Sequence, residues 1–249
     1  MFMKSRVLAI SMMALMAVPV AVAQYGGAAV AALNSDDAGI VLGEPCVVIE
    51  KTTTTTLRPD GTTIAKRTEV RKWRDAQGRF RREVTQVTEG EEPVYHVATI
   101  IDPVKNTITT LKLDDKVANV VHLQQGQLHP YVELDDKPMF AREGVQVKVE
   151  KLDGKTIAGV SAVGRRVTRT RPPGTVGNDK LIVSVSERWV SPDLKILLAS
   201  SMDDPREKQT REVTQLDRTE PDAGLFQIPG DYTVNESVGR PMKEVVISR

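Results

Sequence analysis

The chain has 249 residues, 34 Lys+Arg against 33 Asp+Glu, 4% aromatics and a single cysteine. Residues 1–23 contain Lys4 and Arg6 and no acid, so the remaining 226 residues carry 32 bases and 33 acids, a net charge of −1. That balance excludes a protein devoted to non-specific nucleic-acid binding, and one cysteine excludes a disulfide scaffold and argues against a zinc site.

Lys4 and Arg6, the apolar stretch Val7 to Val18 and Ala21-Val22-Ala23 before Gln24 predict a cleaved export signal over residues 1–23. The apolar segment is short for a membrane span and is interrupted by Pro19. No later run approaches twenty apolar residues, so the mature chain is expected to have no transmembrane span and to be periplasmic or secreted. Residues 24–43, rich in Gly, Ala, Asn and Asp, read as a linker. Residues 44–234 read as one β domain and 235–249 as a C-terminal tail.

Cys46 follows Gly43-Glu44-Pro45, which lacks the small uncharged pair of a lipid-attachment signal. Standing before Val47-Val48-Ile49, it is expected to be buried at a strand start, with a free or intermolecularly paired thiol as the alternatives.

From Cys46 onward, short β-branched stretches alternate with turn residues. Strands are predicted at 47–57, 64–74, 79–88, 94–101, 107–113 and 117–123, with turns at Arg58-Pro59-Asp60-Gly61 and Asp75-Ala76-Gln77-Gly78. The segment 124–144 is predicted to be a lid without strands, with Asp136 capping a short helix from Lys137-Pro138. Strands resume at 145–152, where Val145, Val147 and Val149 share one face. They continue at 156–163 after a turn over Lys151 to Gly154, then at 181–190, 194–200 and 206–216. Residues 171–179 read as a loop, and Asp222 to Phe226 as a tight turn or a single helical turn. The expected architecture is a curved antiparallel sheet forming an incomplete, half barrel under a helical or loop lid. A β-sandwich is the alternative, because both alternate apolar and polar residues in the same way.

No nucleophile elbow, phosphate loop, dinucleotide turn or paired-histidine metal motif occurs. His96, His122 and His129 lie in separate segments, and Asp114-Asp115, Asp135-Asp136 and Asp203-Asp204 read as turn residues. Neither enzyme activity, cofactor nor metal is expected.

The dense charge feature is residues 66–82, with eight bases against Glu69 and Asp75. Arg67, Arg71, Arg79, Arg81 and Arg82 are candidates for an anionic head group or a protein partner, since arginine forks match carboxylate and phosphate bidentately. The alternative is a solvated hairpin whose charges pair with nearby acids. Trp73, Phe80, Trp189 and Phe226 either line an apolar pocket or fill the core.

A set of segments resembles a group of exported bacterial proteins over about residues 50–234. These are Arg74-Asp75-Ala76-Gln77-Gly78-Arg79-Phe80-Arg81-Arg82-Glu83, Ile101-Asp102-Pro103, Glu187 to Lys195, Asp204-Pro205-Arg206 and Glu220-Pro221-Asp222 to Tyr232. Asp102-Pro103 and Asp222-Ala223-Gly224-Leu225-Phe226 through Pro229 also resemble, more remotely, the superfamily of outer-membrane lipoprotein-sorting carriers (LolA/LolB-like). That resemblance implies an incomplete antiparallel barrel with a helical lid over a cavity for acyl chains. The functional expectation is a non-enzymatic envelope protein that binds a lipid or lipoprotein in its concave face. The alternative is an interaction or regulatory module that engages another envelope protein through the basic hairpin.

Overall fold

The computed structural model describes residues 39–88, 90–131 and 144–239. The predicted signal segment and the Asp136-capped helix lie outside these residues. Twelve strands form one sheet: β1 Cys46–Leu57, β2 Thr63–Arg74, β3 Phe80–Gln86, β4 Val97–Asp102, β5 Thr107–Lys112, β6 Val117–His122, β7 Gln146–Ile157, β8 Val160–Arg171, β9 Ile182–Ser191, β10 Ile196–Asp204, β11 Glu207–Asp217 and β12 Thr233–Val238. Their order is β12-β6-β5-β4-β3-β2-β1-β11-β10-β9-β8-β7. Every pairing is antiparallel except that of β12 with β6. Two meanders, β1–β6 and β7–β11, are joined at one seam where β1 runs along β11. β7 and β12 end the sheet at opposite edges, so among the described residues it is an incomplete barrel and not a sandwich.

Local chemistry explains the turns. Asp75 Oδ1 accepts from the amides of Gln77 at 3.0 Å and Arg79 at 2.8 Å, and Gly78 adopts φ +78 to close the β2–β3 hairpin. The predicted turn over Lys151 to Gly154 is displaced: those residues lie inside β7, at a register shift between Leu152 and Lys155. The reversal occurs instead at Ala158-Gly159, with φ of +48 and +79, as a two-residue primed turn requires. Asp-Gly here marks a bulge, and a non-glycine residue takes a strained turn position that composition does not reveal. β12 was not predicted, and it runs into the stretch read as tail. Ile40 pairs with Pro130 and Val41 is buried, so packing begins inside the stretch read as linker.

Three apolar clusters hold the sheet. Cys46, which is 3% exposed, packs with Val48, Leu198, Val213, Ile157 and Ala162. Ala98, Ile100, Leu111 and Ala118 are covered by Phe226 of a 3-10 turn, Ala223–Phe226, that crosses the sheet after β11. Ile101, Ile108 and Val121 form the third, with Phe80 against them. No helix among the described residues is long and apolar enough to cross a membrane.

Gly164 on β8 faces Trp189 on β9, and a β-carbon at this position would lie 2.6 Å from Trp189 Cη2. The indole is also covered by the Lys155 ammonium, 4.0 Å from the ring centroid. Gly164→Ala is expected to cost about 1–3 kcal/mol, the range for overpacking. Urea unfolding measures this, and an unchanged midpoint would mean that the ring moves aside freely.

Candidate functional site

Alternation divides the sheet into two faces. On β11, Gln209 and Arg211 are half-buried and Val213 is buried, whereas Lys208, Thr210 and Glu212 between them are exposed. On β7, Val147 and Val149 are half-buried between exposed Gln146 and Lys148. The enclosed side is the inner face of the half barrel.

A register row crosses this inner face. From Arg211 on β11 the directly opposed residues run to Ser200, Arg188, Arg165 and Lys151 on β10, β9, β8 and β7. In the other direction they run to Thr52, Thr68 and Gln86 on β1, β2 and β3. Eight strands at about 4.8 Å spacing make this a polar strip of roughly 34 Å along the sheet. Two residues further along each strand lies a second row, Met202, Ser186, Val167 and Val149 on β10 to β7. Its apolar members are half-buried. At the β3 end, Thr68 and Gln86 enter an open groove of about 500 Å³ also lined by Lys66, Val84, Val94 and His96.

Beside the strip, at the seam, lies a buried ion cluster. Glu50 on β1 is 2% exposed; its Oε2 accepts from Lys72 Nζ of β2 at 2.9 Å, and its Oε1 lies 2.7 Å from Arg211 Nε of β11. This carboxylate fixes Arg211 within the row.

The hairpin residues chosen from the sequence do not share one surface. Trp73, Arg71 and Arg67 alternate with Lys72 on β2 and face outward, opposite Val47, Ile49 and Thr53. Arg81 is opposite Trp73 and also faces outward, while Phe80 and Arg82, opposite Arg74 and Lys72, face inward. Arg71 is 3.7 Å from Glu69 and lies 4.5 Å over the Tyr95 ring. Tyr95 donates to Glu69 at 2.6 Å, and its phenol is pushed well above the usual tyrosine range, first by burial and then by that bond. Arg79 pairs with Asp75 at 2.5 Å and lies 5.0 Å from the centroid of Phe226. Arg81 pairs with Glu83 at 2.5 Å, donates to Leu225 O at 2.8 Å and lies 5.9 Å from the Trp73 centroid. The structure thus gathers Arg79, Arg81, Trp73 and Phe226 at the crossing turn on the outer face. Phe80 and Trp189 belong to two other clusters.

Sequence reasoning missed Lys151, Arg165, Arg188, Arg211 and Glu50. None lies in a dense charge run, and their only signal is alternation within each strand. The three histidines are dispersed: His96 pairs with Asp114 at 2.6 Å and His122 with Glu236 at 3.2 Å, both exposed, and His129 lies in the segment after β6. No group of three metal-ligating side chains occurs among the described residues.

The fold is similar to that of a LolA superfamily protein from Nitrosomonas europaea, at 10% identity over 80% of this chain and 97% of that one, with a TM-score of 0.32. It is also similar to a domain attributed to outer membrane lipoprotein sorting from Vibrio parahaemolyticus, at 8% identity over 83% and 94% of the two chains and a TM-score of 0.29. LprF from Mycobacterium bovis gives 11% identity over 72% and 90%, with a TM-score of 0.28. No family model and no curated protein matches the chain.

Proposed function

We propose that this chain is a non-enzymatic, exported envelope protein that binds an amphipathic ligand, a lipid or lipoprotein, on the inner face of its half barrel. The observation that carries this reading is the pairing of rows on β7 to β10. A strip containing Arg188, Arg165 and Lys151 runs beside one containing Met202, Val167 and Val149. The two rows are about 7 Å apart along each strand, so a ligand with one charged and one apolar part meets both. Burial of acyl chain contributes about 0.8 kcal/mol per methylene, and the cations orient the polar end.

Binding, not chemistry, suits the composition of the strip, which is made of cations, hydroxyls and an amide. The adjacent carboxylate, Glu50, is enclosed between Lys72 and Arg211, a structural position and not that of a proton-transfer group. Export and an envelope location rest on the N-terminal segment and form part of the proposal.

Native mass spectrometry of the protein purified from an exporting host, with extraction of co-purifying lipid, tests the reading. An acylated molecule at near-unit stoichiometry is the expected result. A bare protein mass that stays bare after incubation with short-chain lipids would defeat the reading and favour a protein partner at exposed Arg67.

A further inference from the structure

Resting on the amphiphile reading, we infer that the inner face of β3 to β6 is a subsite for a phosphodiester head group, with Arg82 on the charged oxygens and Asn119 on an ester carbonyl of the same molecule. The site belongs to the first meander, across the seam from the strip on β10 to β7.

Register brings the residues together. Arg82 on β3 is directly opposite Thr99 on β4, Thr99 opposite Thr110 on β5, and Thr110 opposite Asn119 on β6. Directly opposed residues share a face, so a guanidinium, two hydroxyls and an amide form one row across four adjacent strands. Two donors in this row are buried and unmet: neither Arg82 Nε nor Asn119 Nδ2 has a hydrogen-bond partner. Asn119 is 6% exposed, and its Oδ1 already accepts from Asn235 Nδ2 of β12 at 3.2 Å, so what it lacks is an acceptor. A buried donor left unmet costs a folded protein free energy, and two such donors at the ends of one row call for acceptors between them.

Charge narrows the choice of ligand. The two acids within β3 to β6, Glu83 and Asp102, alternate onto the opposite face, where Glu83 accepts from Arg81 and Asp102 from the amides of Val104 and Lys105. Glu50, the inner-face acid of β1, is engaged by Lys72 and Arg211. One half-buried guanidinium suits one negative charge. A phosphomonoester brings about −1.5 to −2, more than Arg82 offsets. A fatty-acid carboxylate matches the charge but offers no second acceptor for Asn119. A glycerophospholipid diester has unit charge and carries its ester carbonyls a few bonds away, so it supplies both. Val84 and Val97 are exposed and lie on the same face, two residues along β3 and β4 from Arg82 and Thr99, where the acyl chains would begin. The adjoining groove adds Val94, and its acids Glu91 and Glu92 keep the phosphate on the Arg82 side.

The test is calorimetric titration of the purified protein with short-chain phosphatidylglycerol, with a fatty acid of matched chain length and with glycerophosphoglycerol, the same diester without chains. The titrations are repeated on Arg82→Gln, on Asn119→Leu and on Arg67→Gln, an exposed outer-face control on β2. Phosphatidylglycerol is expected to bind at least tenfold tighter than either of the other two. Arg82→Gln is expected to lose about 10–100-fold for it, as one charge-assisted contact would give, and the control less than twofold. Asn119→Leu is expected to lose about three- to tenfold for phosphatidylglycerol and less than twofold for the fatty acid, while its urea midpoint does not fall, because an unmet donor has been removed. Thr110→Val, which keeps the side-chain shape, takes its place if the leucine variant fails to fold. Equal binding of the fatty acid, or unchanged lipid binding in Arg82→Gln or Asn119→Leu, overturns the diester subsite while leaving the amphiphile reading intact. Chainless diester binding as tightly as the lipid keeps the anion contact and overturns the amphiphile. Failure of all three ligands to bind overturns both.

Discussion

Glu50→Ala is expected to lower the unfolding free energy by about 3–5 kcal/mol, the cost of breaking a buried ion pair from one side. Glu50 is 2% exposed and Lys72 5%, and the Arg211 side chain is largely enclosed. Removal of the carboxylate takes away the acid that the Lys72 ammonium and the Arg211 guanidinium share across β1. The location amplifies the effect, because β1 pairs with β2 on one side and β11 on the other, and the β1–β11 pairing joins the two meanders. A register shift between Ile49 and Glu50 already interrupts the ladder there. Glu50→Gln, which keeps the side-chain oxygen but loses the charge, is expected to fall between wild type and alanine. Urea unfolding followed by tryptophan fluorescence measures all three proteins. A loss below 1 kcal/mol for alanine would mean that water or a rearranged side chain replaces the carboxylate. Because Glu50 also fixes Arg211 in the inner-face row, the variant is expected to weaken binding of an amphipathic lipid as well as stability.

Strands were readable because period-two alternation and turn residues are local properties. Val147 and Val149 alternate with Gln146 and Lys148 in the sequence and in the sheet alike. The Asp-Gly pair at 153–154 misled because a bulge and a turn need the same residue types, while Ala158 accepts a positive φ against its preference. β12 was missed for a different reason. All six of its residues are exposed, and it is held by backbone pairing to β6, Lys116 on Asp231 at 2.6 Å and His122 on Glu236, none of which leaves an apolar pattern.

The candidate site was less legible than the fold because it is a property of register. Residues 66–82 are dense in charge, yet alternation sends Arg67, Arg71 and Arg81 outward and Lys72 and Arg82 inward. Arg211, Arg188 and Arg165 are far apart in the chain and become neighbours only when β11, β10, β9 and β8 take their observed offsets. A one-residue slip in any of these pairings would disperse the row.

Phe226→Ala separates the two roles that its sequence context allowed. Phe226 is 3% exposed and packs on Ala98, Ile100, Leu111 and Ala118, with the Arg79 guanidinium over its ring. Truncation to alanine is expected to cost about 3–5 kcal/mol, as for a buried phenylalanine in a well-packed site. The crossing turn that it anchors is held otherwise by Arg81 on Leu225 O and by Asp222 capping Gly224 N at 2.6 Å, two polar contacts that do not replace the lost packing. That turn leads the chain from β11 over the outer face toward β12, so amide exchange along 233–238 is expected to accelerate with the same substitution. The inner face is on the other side of the sheet. Affinity for a short-chain amphipathic lipid, measured where the variant remains folded, is therefore expected to change less than twofold. A large loss of affinity with little loss of stability would instead make Phe226 part of a ligand pocket and place acyl binding on the outer side of the sheet.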